Sequence, residues 1–129
     1  MKNIEVVAAI IICNDKLLCV QRGEEKYDYI SRKWEFPGGK VEKNESIQNA
    51  LKREIKEELS INLSKCSYFM KVEHDYPDFS IVMHSFLCNI NFKEIHLNEH
   101  IDHKWLYPSE LGLLDWAAAD LPIVAGLVK

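Results

Sequence analysis

An α+β sandwich, with helices packed over a mixed β-sheet, is the fold class that three features of this chain predict. Strand-length runs rich in β-branched residues enclose one mid-chain helical pattern, a second helical pattern closes the chain, and no repeat, linker or low-complexity tract interrupts them. At 129 residues, 47% hydrophobic and 28% charged, the chain fits one domain over residues 1–129, large enough to bury a core without staples.

Val6 to Cys13 is apolar at nearly every position, which predicts a strand buried on both faces. Asn14-Asp15 turns the chain, and Leu17 to Gln21 returns as the second arm of a hairpin. Arg22 to Lys33 is polar and aperiodic, a loop, and Trp34-Glu35-Phe36 is a short extended piece stopped by Pro37 and a tight Gly38-Gly39 turn. Ser46 or Asn44 can cap a helix running to about Leu59. Cys66 to Glu73 and Phe79 to Ile90 predict a strand pair joined through Tyr76-Pro77-Asp78. After a polar loop from Leu97 to Asp102, a short strand spans His103 to Tyr107. A brief helix opens at Pro108-Ser109 and ends near Leu114, and a last helix covers Leu121 to Val128.

Composition excludes several function classes. A net charge of −4 leaves no basic field for a long polyanion, so no nucleic-acid partner is expected, although a nucleotide can bind where metal ions bring positive charge. Ile4 to Cys13 is far too short to span a bilayer and no signal peptide is visible, so no membrane partner is expected either. Cys13, Cys19, Cys66 and Cys88 lack CxxC spacing and lie in apolar runs, as reduced core thiols of a cytoplasmic protein would. His74, His84, His96, His100 and His103 show no ligand spacing on one helix and are read as structural or solvated.

The chemistry concentrates in the mid-chain helix. At about 100° per residue, Ile47, Leu51, Ile55 and Leu59 form one apolar stripe, and Asn49, Lys52, Arg53 and Lys56 lie roughly opposite. Glu54, Glu57 and Glu58 share a face beside the stripe, and Glu58 projects into it. Alone, three glutamates describe a solvated helix. Near a buried edge, however, like charges repel and lose hydration unless a cation compensates, and hard oxygen ligands suit Mg²⁺ or Mn²⁺. Gly38-Gly39 just upstream permits unusual backbone angles and close approach of backbone to a ligand.

Gly39, five residues, Glu45, seven residues, then Arg53-Glu54-Ile55-Lys56-Glu57-Glu58, one residue, Ser60 and Ile61 closely resembles the box of the Nudix hydrolase family. Every charged position is matched; Ser60 stands where the family has the glycine that ends the helix in a left-handed turn, at a cost of about 1 kcal/mol. The resemblance implies a Nudix α/β/α sandwich that hydrolyses a nucleoside diphosphate linked to another group, using Mg²⁺, with Mn²⁺ as an alternative. It implies metal ligation by Glu54, Glu57 and Glu58 with the Gly39 carbonyl, a supporting Glu45–Arg53 ion pair, and water attack at phosphorus with one glutamate as base.

Beyond the box, the hairpin start, Trp34 to Glu42 and the C-terminal layout resemble the MutT-like branch of the family. That branch implies cleavage of a (d)NTP, either 8-oxo-dGTP or a cytidine nucleotide such as CTP or dCTP, to the monophosphate and pyrophosphate, with attack at the β-phosphorus. Glu99, six residues before Trp105, matches a further ligand or base in that branch; otherwise it is a solvated loop glutamate. Asp120 matches a base-contacting position; otherwise it caps the last helix ahead of Pro122. As an ionised carboxylate it would only accept hydrogen bonds, favouring donors such as cytosine N4–H or guanine N1–H. Phe36 and Tyr76 are candidate stacking surfaces or core residues, and Arg22 and Lys40 can reach phosphate or solvent. The alternatives are another nucleoside-diphosphate-linked substrate or a non-catalytic nucleotide-binding module, and under every reading the chain is expected to be a monomer or homodimer.

Overall fold

The computed structural model describes residues 2–92 and 94–128. In chain order it forms β1 (Lys2–Cys13), β2 (Lys16–Gln21), β3 (Trp34–Glu35), β4 (Gly38–Lys40), α1 (Ile47–Leu59), β5 (Cys66–Asp75), β6 (Phe79–Asn89) and β7 (Asp102–Leu106). Two 3-10 turns at Pro108–Leu113 and Ala118–Asp120 then lead into α2 (Leu121–Leu127).

Among the described residues all seven strands join one mixed sheet in the order β3-β2-β1-β6-β5, with β4 also on β1 and β7 also on β2. β1 and β6 run parallel, and every other pair is antiparallel. β1 starts four residues earlier than its apolar pattern suggests. The pairing continues from Lys2 against Phe79, so the ladder draws in residues whose side chains stay exposed. Asn14 and Asp15 both take positive φ, 51° and 65°, the geometry of a tight hairpin turn that matches strand twist.

From Val7 to Cys13 β1 is buried on both faces, as its composition predicts. Val7, Ala9 and Ile11 face α1, where Leu51, Ile55 and Leu59 complete one cluster. Ala8 and Ile10 face the other way, toward Leu111, Ile123 and Val124 from the C-terminal turns and α2. Helices therefore cover both faces of the sheet, and each fully buried Leu or Ile adds roughly 1.5–3 kcal/mol. Among the described residues no helix is long and apolar enough to cross a membrane.

Gly38-Gly39 departs from expectation. The pair is not a turn but part of β4, held against Ala8 and Val7 of β1, and no described glycine has positive φ. What the glycines supply is space. A Cβ on Gly38 would collide with the Val7 carbonyl, so this backbone lies against β1 as only glycine allows.

Candidate active site

β4 delivers Gly39 to the flank of α1, and together they form one wall of a cleft of about 670 Å³. A Cβ on Gly39 would fall inside the Glu54 carboxylate, so the missing side chain is what admits Glu54 to the cleft. Glu58, one turn on, is 2% exposed and its Oε2 has no hydrogen-bond partner. Burial, then the charges of Glu35, Glu54 and Glu99, push its carboxyl up to about 9, and the Gly38 amide opposes them. Burial likewise raises Glu54, against the pull of Arg53.

α1 starts and stops where its residues allow. Ser46 accepts from the Asn49 amide at 3.1 Å, and Ser60 closes the helix in the left-handed region, φ 59°, donating to the Lys56 carbonyl. Arg53 is only a quarter exposed and braces the site rather than facing solvent. It donates from Nε and Nη2 to both oxygens of Glu45, at 2.8 and 3.0 Å, and to the Lys40 carbonyl at 2.9 Å. Its Nη1 reaches Glu54 at 3.1 Å and Glu57 at 3.3 Å. Glu57 itself is over half exposed and lies at the edge of the site, outside the cleft lining.

Glu99 and His100 arrive from the loop before β7, pinned by the end of α1. The amides of His96 and Asn98 donate to the carbonyls of Leu59 and Glu58, and Asn98 Nδ2 donates to that of Glu57 at 2.7 Å. Carbonyls that a helix C-terminus leaves unpaired thus hold this loop in place. Glu99 lines the cleft. His100 is not solvated: its side chain is 5% exposed, Nε2 lies 2.9 Å from Glu35 Oε2 and 3.8 Å from Glu58 Oε1, and Nδ1 is buried without a partner. Arg22 donates to the other oxygen of Glu35 at 3.0 Å and also pairs with Glu25.

Asp120 also lines the cleft, is 3% exposed and makes no capping bond to α2. It accepts from the Phe36 amide at 3.3 Å instead. Burial, then the Glu35 charge, pushes its carboxyl well above the usual range, which favours a neutral acid that donates as well as accepts. Phe36 and Tyr76 are both buried and both line the cleft. Phe36 packs on Trp116, and Tyr29 stacks with both Tyr76 and Tyr27. The Ala119 amide donates to the Tyr76 hydroxyl at 3.0 Å, tying this wall to Asp120. Lys40 lines the opening and is exposed.

Nothing local in the sequence marks Glu35 or Tyr29, and His100 stands out there only as the neighbour of Glu99. As a metal site the cleft offers an oxygen-rich donor set, a cradle at Gly39 and the partnerless Glu58 Oε2, which fit a hard divalent cation. Among the described residues no three His, Cys, Asp or Glu side chains are drawn together closely enough to hold one, and Arg53 engages two of the acidic groups, Glu54 and Glu57.

Residues 3–127 match the model of the NUDIX domain. The chain is 36% identical over 124 residues to the CTP pyrophosphohydrolase of Escherichia coli K12, covering 96% of this chain and 90% of that protein. It is 30% identical over 129 residues to the 8-oxo-dGTP diphosphatase of Buchnera aphidicola subsp. Schizaphis graminum, covering 100% and 96%. The crystal structure of the MutT protein from Methanosarcina mazei Go1 shares the fold, with a TM-score of 0.87 at 24% identity over 98% of this chain and 93% of that one. A glycine-cradled glutamate, a braced box arginine and this family match converge: the chain belongs to the Nudix family, in its MutT-like branch, and is a hydrolase of acid anhydrides.

Proposed function

We propose that this chain is a Mg²⁺-dependent nucleoside triphosphate pyrophosphohydrolase that cleaves a (d)NTP to the monophosphate and pyrophosphate. The observation that carries this reading is one cleft lined by two chemically distinct groups of residues. Glu54, Glu58 and Glu99 form one, and buried Asp120 with Phe36 and Tyr76 forms the other. Phosphates fit the first and a base the second.

Glu54 and Glu58 would hold the cation, with Glu57 and Glu99 and the Gly39 carbonyl at its margin; when bound, Mg²⁺ neutralises charge on the phosphate oxygens. Water attacks the β-phosphorus, a carboxylate of this cluster takes its proton, and the monophosphate leaves. Lys40 and Arg22 stand where they can contact phosphate oxygens, and Arg53 with Glu45 holds Glu54 in place. A neutral Asp120 suits a base edge offering one donor and one acceptor. Cytosine N4–H with N3 and 8-oxoguanine N7–H with O6 both meet that requirement. The names of the two relatives divide the same way.

Pyrophosphate release with Mg²⁺ from CTP, dCTP, 5-methyl-dCTP, dGTP and 8-oxo-dGTP tests the reading, with kcat/KM expected highest for a cytidine nucleotide or 8-oxo-dGTP. Release from none of these, nor from any diphosphate-linked nucleoside, sinks it and leaves a binding module.

A further inference from the structure

We propose that Cys66 and Cys88 are an oxidative modification site, at which a peroxide converts a cross-strand dithiol into a disulfide. The two residues are direct partners in the β5–β6 ladder, and their sulfurs lie 2.6 Å apart. Opposed residues of antiparallel strands have Cα atoms about 4.5–5.5 Å apart, inside the window of roughly 4.4–6.8 Å that a disulfide spans, so the bond needs no backbone movement.

The pair is also asymmetric in access. Cys66 is partly exposed at a surface depression shared with Lys65 and Asn89, whereas Cys88 is fully buried. Cys66 is thus the sulfur an oxidant reaches, and Cys88 is the one that resolves. Burial first, then contact with Cys66, raises the Cys88 thiol, which keeps it protonated until its partner is oxidised. Cys13 and Cys19 are buried in the core, and burial holds the Cys19 thiol up at about 12, so neither competes.

The chemistry balances without a protein cofactor. The Cys66 thiolate attacks one peroxide oxygen, the O–O bond breaks, and the other oxygen leaves as water after taking a proton, giving a sulfenic acid. Cys88 Sγ then attacks the Cys66 sulfur and expels hydroxide, which takes the Cys88 proton and leaves as a second water. Two sulfurs are oxidised and one hydrogen peroxide is reduced. The crosslink forms at the end of β6 remote from Phe79, Ile81 and Met83, which line the cleft, so it acts on stability. This inference does not depend on the proposed substrate.

Titrating the 129-residue chain with hydrogen peroxide, followed by non-reducing peptide mapping and thermal melting, decides it. The expected result is one linked Cys66–Cys88 peptide, loss of two of the four thiols, and a rise in Tm on the order of 10 °C that dithiothreitol reverses. Cys88→Ala should instead leave Cys66 as a sulfenic or sulfinic acid with no rise in Tm. If that variant does not fold, Cys66→Ser should abolish both the linked peptide and the Tm rise. Four thiols still titratable after peroxide, or wild-type Cys66 carried to sulfinic acid while Cys88 remains a thiol, would overturn the proposal.

Discussion

Gly39 and Glu54 share one space: the Glu54 carboxylate occupies the volume that a side chain on Gly39 would need. Gly38 next to it faces the Val7 carbonyl instead. The two glycines therefore fail differently when replaced. Gly39→Ala displaces the end of a flexible side chain, so kcat should fall about 100-fold while the melting curve hardly moves. Gly38→Ala meets backbone that cannot yield, and should cost about 3 kcal/mol in urea unfolding.

Glu58→Gln should separate activity from stability. Glu58 is raised to about 9 from 4.5, so the folded chain loses stability as pH rises through that window, in which only the unfolded chain ionises freely. In chelator at pH 8 the glutamine variant should melt above the parent, and the difference should vanish near pH 4. Its kcat with Mg²⁺ should drop by about 100-fold or more. Near-normal turnover would remove Glu58 from the site.

Glu45 shows the opposite sign. The hydrogen bond from Arg53, aided by the Glu42 amide, holds its carboxyl down at about 2 against an ordinary 4.5. Stability from this pair is therefore complete above pH 4.5 and lost as pH falls toward 2. Denaturant midpoints at pH 7 and pH 3 should differ less in Glu45→Gln than in the parent.

Asp120→Asn removes a carboxyl that burial and Glu35 keep well above its usual range. Stability of the parent declines as pH rises above about 4 through that raised value, so the variant should be more thermostable at neutral pH and equal to the parent near pH 3. Because the amide still both donates and accepts, binding should survive while the ratio of kcat/KM between CTP and 8-oxo-dGTP shifts. An unchanged ratio would detach Asp120 from base recognition.

Ser60 holds φ 59° at the end of α1, where a side chain is crowded. Ser60→Gly should add about 1 kcal/mol and raise Tm by about 3 °C without changing kcat.

Much of this was legible locally. The stripe Ile47, Leu51, Ile55 and Leu59, the cap at Ser46 and the strict box spacing placed α1, and with it Glu58 on the buried edge. Strand boundaries slipped where pairing overrode composition, as at Lys2 to Glu5, and Gly38-Gly39 was misread because extended pairing with β1 leaves no mark in a glycine pair.

The sequence by itself determined the helix, its carboxylates and the family, because those depend on residues within a few turns of one another. Only the tertiary structure decided how the rest of the cleft lining comes together. It sets Asp120 on the Phe36 amide across 84 residues, and clamps Glu35 between Arg22 and His100. Such contacts are made by strand register and by a loop hung on the last carbonyls of α1, and no local pattern of residue types encodes either.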